Sequence, residues 1–286
     1  MITGLAQTTI TWSENWESPA AQNNWANTGA AWQIGVPTFG PPTNSLGWRA
    51  HQGTNCAATI LNGNYTDDRQ DRLVSSPILV PTASQNPRLR FWHWWSFACG
   101  DYGQVQISTN NGASWVNLSP QYTTDSSGKW TEGWLDLSLY AGQTVRLGLY
   151  FASTSSGCGN TVSAGWYVDE IMVESGPLPP MTFPDSVEDT GAPNRWTADF
   201  GIWEIGVPTS GPGGAHSGSN CLATILSGNY TDDRTSRVSS QPFVVPSAGL
   251  NPRLRFWHWW SFACGDYGQV QISTNNGARW CNLSPQ

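Results

Sequence analysis

The chain has 286 residues, of which 12% are charged and 12% are aromatic, and its formal net charge at pH 7 is −7. This charge excludes the basic face with which nucleic-acid-binding proteins contact phosphates. No run of about 18 apolar residues is present to insert into a membrane, and the many Trp, Gly, Thr and Asn residues favour strands and turns over helices.

The chain is built on a tandem repeat. Residues 86–113, NPRLRFWHWWSFACGDYGQVQISTNNGA, recur unchanged as residues 251–278, and further matches precede them in both copies. The first copy carries six extra residues near residues 44–50. We therefore predict two tandem domains. Their boundaries are a leader at residues 1–9, a complete repeat at 10–176, a Pro-rich linker at 177–180 and a second, incomplete repeat at 181–286.

Short strand patterns follow one another along the first copy, separated by Gly, Pro, Asn and Asp. In chain order they are ATILNGNY, RLVSSPILV, RLRFWHWWSF, GQVQIST, WLDLSL, TVRLGLYF and WYVDEIMV. Each alternates or is rich in β-branched residues, as a half-buried strand is, and no helical period is present. The pattern predicts an all-β fold of two antiparallel β-sandwich, or jelly-roll, domains.

Nothing in the second copy matches residues 122–175, which carry the last three of those strand patterns. Its sheets would then have open edges and an uncovered core. Either the native chain continues beyond residue 286, or strands from elsewhere complete the domain. In the second case the strand pattern at residues 8–12 would pair with the second domain of another chain, and the contact would propagate into a head-to-tail filament.

The duplicated strand RLRFWHWWSF has two chemically different faces. Alternation places His93 and the aliphatic and aromatic residues around it on the core face. The opposite face combines arginines with tryptophans, and we interpret it either as a ladder covered by a loop or neighbouring domain, or as a platform that stacks sugar rings. This arginine–tryptophan face, the candidate ligand or interface face, comprises Arg88, Arg90, Trp92 and Trp94, with Arg253, Arg255, Trp257 and Trp259 in the second copy.

The segment ISTNNGASW, residues 107–115, predicts a hairpin, because Asn111-Gly112 suits a turn with positive φ. Its letters also resemble the Asp-box, a structural rather than catalytic β-hairpin motif. The matching residues are Ser108, Asn110, Gly112, Ser114 and Trp115. The second copy departs from this pattern at Arg279.

Two carboxylates are candidate metal ligands. The pair Asp169-Glu170 interrupts the alternation of its strand, so that one carboxylate is expected to turn inward at a bulge. A buried carboxylate needs a partner or a cation, and calcium binds carboxylates together with backbone carbonyls. Glu17 and Asp169 are therefore predicted either to bind a structural calcium ion or to be surface or arginine-paired acids.

The chain has six cysteines, and an even count in a Trp- and Gly-rich β chain favours an oxidising, extracellular setting. Five of the cysteines are disulfide candidates. They are Cys56, Cys99, Cys158, Cys221 and Cys264. Placement in Gly-rich loops favours a Cys99–Cys158 bond. The duplication favours Cys56–Cys99, echoed by Cys221–Cys264, and connectivity stays open.

Several motifs of the chain carry a family resemblance: G-x-N-C-x-A-T, L-x-G-N-Y, L-R-F-W-H-W, D-Y-G-x-V-Q-I-S-T-N-x-G and G-W-Y-V-D-E-I. Together they resemble the MAM-like, galactose-binding-like jelly rolls of secreted bacterial proteins. The resemblance implies a two-sheet sandwich, often with a structural calcium near the first and last strands, which are the positions of Glu17 and Asp169. It also implies domains that occur in tandem in surface proteins or beside peptidase and glycosidase modules.

No catalytic motif such as G-x-S-x-G, H-E-x-x-H or a phosphate-binding loop is present, and we predict a protein that is not an enzyme. We expect an extracellular or cell-surface repeat protein with a structural or adhesive role. Its expected partners are copies of itself or other surface proteins. The alternatives are a carbohydrate-binding module that binds glycans through Trp92 and Trp94, and the accessory region of a larger secreted hydrolase.

Overall fold

The computed structural model describes residues 8–44, 46–123, 126–155, 161–177, 180–189, 195–198, 202–232, 235–275, 277 and 279–285. The chain divides into two compact units, the first built mainly from the residues up to 178 and the second mainly from those after it. No helix within these ranges is long and apolar enough to cross a membrane.

The first unit is an all-β sandwich in which every strand pair is antiparallel. Its strands are β1 (Thr9–Glu14), β2 (Trp25–Asn27), β3 (Gln33–Gly35), β4 (Cys56–Ala58), β5 (Gln70–Ser75), β6 (Ile78–Leu79), β7 (Arg88–Ser96), β8 (Tyr102–Ser108), β9 (Val116–Asn117), β10 (Thr131–Asp136), β11 (Thr144–Ala152) and β12 (Gly165–Ser175). A single helical turn, α1 (Ala21–Asn24), and two 3-10 turns, Ala83–Gln85 and Ser138–Tyr140, lie between strands.

Two six-stranded sheets make the sandwich. The first sheet has the order β10-β7-β12-β4-β3, with β1 paired to β12, and the second sheet has the order β2-β5-β11-β8-β9, with β6 paired to β11. The duplicated segment therefore supplies β7 to the first sheet and β8 to the second. The fold class predicted from the strand patterns is confirmed.

Strand alternation fills the space between the sheets as expected. On β7 the inward side chains Leu89, Phe91 and Trp95 are at most 1% exposed, and His93 between them is 2% exposed. On β11 the inward residues are equally buried. His93 is thus a core histidine, and its Nδ1 accepts a hydrogen bond of 3.2 Å from the indole Nε1 of Trp166.

A bulge interrupts β12 at the predicted place. The register between β12 and β7 shifts between Asp169 and Met172, and Glu170 adopts a φ of 46°. The extra residue turns the Asp169 carboxylate inward, where it is fully buried, while Glu170 stays partly exposed.

The strand pattern near the N-terminus is used inside its own domain. β1 pairs with β12 of the same chain from Thr9 opposite Ser175 to Glu14 opposite Ile171. The hypothesis that residues 8–12 pair with another chain is therefore corrected: these residues already form the edge of the first sheet.

The described residues of the second half of the chain form six short strands in three two-stranded ladders, β13 with β16, β14 with β15 and β17 with β18. Their bounds are β13 (Trp196–Ala198), β14 (Glu204–Gly206), β15 (Cys221–Ala223), β16 (Val238–Ser240), β17 (Gln271–Ile272) and β18 (Cys281–Asn282). A 3-10 turn spans Ala248–Leu250.

The second copy of the duplicated strand does not form a strand. Leu254, Phe256 and Trp260 are 53–60% exposed, whereas their first-copy equivalents Leu89 and Trp95 are fully buried. In the first unit β7 lies between β10 and β12, and the residues of the second copy include no counterpart of either strand. The same sequence is left without hydrogen-bonding neighbours and without a facing core.

Candidate functional site

In the first copy, carboxylates neutralise the arginines of the arginine–tryptophan face. Arg88 is 3% exposed, and its Nε lies 2.5 Å from Oε1 of Glu174. Arg90 forms ion pairs with Glu132 and, at 3.3 Å, with Oε2 of Glu174. Both guanidinium groups are therefore compensated inside the fold, from β10 and β12.

The tryptophans of this face are covered. His51 stacks on Trp92 with ring centroids 3.9 Å apart and an interplanar angle of 11°, and the imidazole pairs with Glu170 at the bulge. Trp94 is 6% exposed and packs edge-on against Tyr167. His51 thus occupies one face of the Trp92 ring and Trp94 is buried, as in a covered ladder, and sugar binding at Trp92 and Trp94 stays a prediction.

In the second copy the corresponding side chains are exposed. Trp257 is 78% and Trp259 is 55% exposed, and Arg253 and Arg255 form no ion pair with any described residue. The His–Trp stack nevertheless recurs, because His216 lies 4.0 Å from Trp257 at an interplanar angle of 11°. This local contact survives without the surrounding sheet.

Glu17 anchors a loop of the first unit. Its carboxylate accepts hydrogen bonds from the backbone N and the side chain of both Thr54 and Asn55, at 2.7–3.1 Å. Partial burial acts to raise the pKa of Glu17, but these hydrogen bonds prevail and hold it below its ordinary value.

Asp169 binds the same loop from the bulge of β12. Its Oδ2 accepts from the backbone N of Gln52 at 3.1 Å and its Oδ1 from that of Glu170 at 2.8 Å, and burial raises the pKa of this carboxyl to about 7. Within the described ranges no group of three or more His, Cys, Asp and Glu residues could hold a metal ion. Protein donors hydrogen-bond to both carboxylates, and calcium binding by Glu17 and Asp169 stays a prediction.

The cysteine pairing suggested by the duplication is wrong. Cys56 is a free thiol at 0% exposure, where burial raises its pKa well above the ordinary value, and Cys221 and Cys264 are free as well. Cys99 is disulfide-bonded. Cys158 lies outside the described residues, so the Cys99–Cys158 bond stays a prediction.

An open surface of different composition lies on the outward face of the second sheet. We call it the arginine platform, and it consists of Arg72, Trp115, Arg146 and Tyr150, all partly exposed. The guanidinium carbon of Arg72 lies 4.6 Å from the ring centroid of Trp115 and 4.9 Å from that of Tyr150. Sheet register explains the contact with Tyr150, which lies directly opposite Arg72 on β11.

Amide side chains fix the orientation of Arg72. Its Nε and Nη2 donate to Oε1 of Gln106 at 2.9 and 2.6 Å, and the amide nitrogen of Gln106 donates to Oδ1 of Asn117 at 2.9 Å. Burial lowers the pKa of Arg72 from its ordinary value. The guanidinium is thus held by neutral groups alone and stacked on two rings.

The predicted hairpin positions two residues of the arginine platform. Asn111 and Gly112 have φ values of 60° and 92°, which confirms the turn, and Ser108 Oγ accepts from the backbone N of Gly112 at 2.8 Å. Asn111 Oδ1 in turn accepts from Nε of Arg146 at 2.7 Å. The chain leaves this turn into Trp115, whose ring lies over β11.

The sequence carries a signal for this site in the strand pattern of β11. In TVRLGLYF the residues alternating with the core positions are Arg146, Gly148 and Tyr150, which form a cationic, open and aromatic row. Trp115 belongs to the hairpin motif, and Arg72 is the first residue of the predicted strand pattern RLVSSPILV. The sequence shows each of these residues separately, but it does not show that they are neighbours. Only the register of the paired strands brings them together.

No model of a known protein family matches the chain. Bacillopeptidase F of Bacillus subtilis (strain 168) is 30% identical over 159 residues, which cover 55% of this chain and 10% of that protein. The chain thus spans about a tenth of the length of this curated relative. The MAM-like resemblance stays a prediction.

Solved structures similar to the chain include adhesin and carbohydrate-binding domains. The K1 cleaved adhesin domain of Lys-gingipain from Porphyromonas gingivalis W83 is 17% identical, with a TM-score of 0.39, over 58% of this chain and 97% of that one. The tandem CBM22-1-CBM22-2 domain of Paenibacillus barcinonensis Xyn10C is 15% identical, with a TM-score of 0.37, over 75% of this chain and 60% of that one.

Proposed function

We propose that the protein is a non-catalytic, extracellular binding module with an adhesive role, and that its first unit attaches to a surface polymer through the arginine platform. One observation carries the proposal: the platform places Arg72 between Trp115 and Tyr150 on an open sheet face, with no part in the core. Aromatic residues and arginine are the side chains that dominate binding energy at protein surfaces.

The contrast between the two sheets supports this choice of surface. On the first sheet, Arg88 and Trp94 are buried and bonded within the domain, so that face stabilises the fold. On the second sheet, the platform side chains stay accessible although their geometry is fixed by Gln106. Side chains fixed before binding lose little conformational entropy in a complex.

An extracellular setting is consistent with the disulfide at Cys99, because disulfides persist in oxidising compartments and are rare in the cytosol.

Retention of the full chain on immobilised cell-surface polymers tests the proposal. We expect the Trp115→Ala/Tyr150→Ala variant to lose at least tenfold in affinity, since both rings that flank Arg72 are removed. Leu79→Ala is the matched control, because Leu79 is a 66% exposed apolar residue of the same sheet, on β6. Unchanged retention of the double variant, or an equal loss in the control, would contradict the proposal.

A second candidate function is the accessory region of a larger hydrolase. The similarity to a tenth of Bacillopeptidase F favours it, since the matched part of that protein is a small fraction of its length. The mass of the native protein tests this candidate: a polypeptide of about 31.2 kDa would exclude it, and a much larger one with hydrolase activity would support it.

A further inference from the structure

We infer that the arginine platform recognises an acidic polysaccharide, one whose sugar rings carry carboxylates. This inference rests on the proposed binding role of the same surface and specifies the chemical class of its ligand. Three features lead to it: the charge of the platform, the spacing of its side chains and the chemistry of its rings.

The first feature is uncompensated positive charge. The chain has 13 Lys and Arg against 20 Asp and Glu, and the arginines of the first sheet are paired with glutamates. Arg72 and Arg146 differ, since neither forms an ion pair with any residue in the described ranges. Arg146 donates only to neutral oxygens, Oδ1 of Asn111 and the carbonyl of Ser75, both at 2.7 Å.

One amino group of each guanidinium is still available to a ligand. Arg72 uses Nε and Nη2 for Gln106, and Arg146 uses Nε and Nη1. The remaining nitrogens, Nη1 of Arg72 and Nη2 of Arg146, have no hydrogen bond to a described residue. Hydrogen bonds from guanidinium to carboxylate are about twice as strong as neutral ones.

The second feature is the spacing. Arg146, Gly148 and Tyr150 alternate along one face of β11, and Arg72 lies opposite Tyr150. Arg146 and Tyr150 are four positions apart on the strand, which corresponds to about 13 Å. Trp115 fills the space between them, because its Cζ3 lies 2.7 Å from the position that a Cβ on residue 148 would occupy. The row thus begins with the guanidinium of Arg146, and the guanidinium of Arg72 lies between the rings of Trp115 and Tyr150.

The third feature is the match between this row and a charged sugar chain. A pyranose ring presents an apolar face of C–H groups that stacks on an aromatic ring, and a uronic acid adds a carboxylate at the ring edge. An extended acidic polypeptide offers the carboxylates without the rigid rings. The combination of Trp115 with two flanking guanidinium groups therefore favours the polysaccharide.

Calorimetry of the full chain with three probes tests the inference: polygalacturonate oligomers, neutral galacto-oligosaccharides of equal length and polyglutamate. We expect polygalacturonate to bind at least tenfold more tightly than either other probe. Binding should weaken as salt rises from 50 to 500 mM, because screening reduces the contribution of Arg72 and Arg146.

Variants test whether the arginines of the platform provide the positive charge that binds polygalacturonate. Arg72→Gln and Arg146→Gln should each weaken polygalacturonate binding at least tenfold. Arg69→Gln is the control, because Arg69 carries the same charge outside the platform and its Nε donates to a neutral oxygen, Oγ1 of Thr66. An equal loss in the control would overturn the inference, as would polyglutamate binding as tight as polygalacturonate.

The two proposals can fail separately. If neutral oligosaccharides bind as tightly as polygalacturonate, and this binding is lost in Trp115→Ala/Tyr150→Ala but kept in the arginine variants, the platform binds sugars and the acidic class is wrong. If neither ring nor arginine variants change the binding of any polymer, the proposed function itself is wrong.

Discussion

At the scale of single residues, Glu174 connects the charges of the first sheet. Its carboxylate, 2% exposed, accepts from Arg88 through one oxygen and from Arg90 through the other. Removal of one partner of a buried pair leaves an uncompensated charge, whereas replacement of the whole pair by apolar residues is often tolerated.

Glu174→Gln should therefore lower the free energy of unfolding by about 3 kcal/mol. Urea denaturation followed by tryptophan fluorescence measures the change. The double variant Arg88→Met/Glu174→Leu is the control and should recover most of the loss, since Arg90 keeps Glu132. If Glu174→Gln lowers the free energy of unfolding by less than about 1 kcal/mol, the ion pair contributes no more than a solvent-exposed pair does.

The buried side chains of His93 and Asp169 should make the free energy of unfolding depend on pH in opposite directions. Burial lowers the pKa of His93 to about 3, below its ordinary 6.5, so the stability it contributes is present above pH 6.5 and is lost as the pH falls toward 3. Burial raises the pKa of Asp169 to about 7 from 3.8, so its contribution is present below pH 3.8 and is lost as the pH rises through 7. Each slope is about 1.4 kcal/mol per pH unit.

Between about pH 4 and 6.5 the two slopes should cancel, and single variants should separate them. Relative to the unmodified chain, His93→Asn should gain stability on acidification from pH 7 to 4, and Asp169→Asn should lose stability over the same range. Unfolding free energies at five pH values measure this. Parallel profiles for all three proteins would contradict the assignment.

At the scale of the element, β11 combines a core face with an open face. Gly148 is central to the open one, because a Cβ at this position would lie 2.6 Å from Cδ of Arg72 and 2.7 Å from Cζ3 of Trp115. Both neighbours are long surface side chains that can move. A larger residue would displace them and leave the strand in place.

Gly148→Val should abolish polymer binding and change the free energy of unfolding by less than about 1 kcal/mol, because a β-branched residue suits a strand. Affinity and urea denaturation are measured on the same sample. Gly133→Val on β10 provides the contrast: its Cβ would overlap the ring of Phe91 in the core, and we expect it to be strongly destabilised. Full binding by Gly148→Val would show that Trp115 and Arg72 are not the contact surface.

Local pattern predicted the strands and their faces because burial dictates alternation, as at Leu89 and Trp95 on β7. It also predicted the bulge at Asp169, where alternation breaks. The local pattern did not predict which of the two sheets has an outward face open to solvent. The partners that cover β7, Glu132 and Glu174, are about 40 and 85 residues away in the sequence, and only sheet order brings them to Arg88 and Arg90.

At the scale of the whole molecule, the two copies of one sequence have different structures. Residues 88–96 form β7 between two strands, whereas residues 253–261 form no strand and are exposed. The difference cannot come from local propensity, which is identical. It lies in the surroundings, because β7 pairs with β10 and β12, whereas residues 253–261 pair with no strand of the described residues.

Hydrogen exchange measured by mass spectrometry should detect this difference, because both copies yield the same peptide. A peptic peptide from residues 88–96 has the same mass as its copy from residues 253–261, and we expect two isotopic envelopes of equal intensity, one slow and one fast. A peptide from β11, which occurs once, should give a single slow envelope. One slow envelope for the duplicated peptide would contradict the exposed state of the second copy.

The exposed second copy of RLRFWHWWSF also has an immunological consequence. An antibody raised against this linear peptide should bind the native chain once, at the second copy, because the first copy is a central strand with a buried face. The denatured chain presents the epitope twice. The ratio of bound Fab to chain, one against two, would thus distinguish the folded from the unfolded first unit, and any segment that covered the second copy would remove the remaining site.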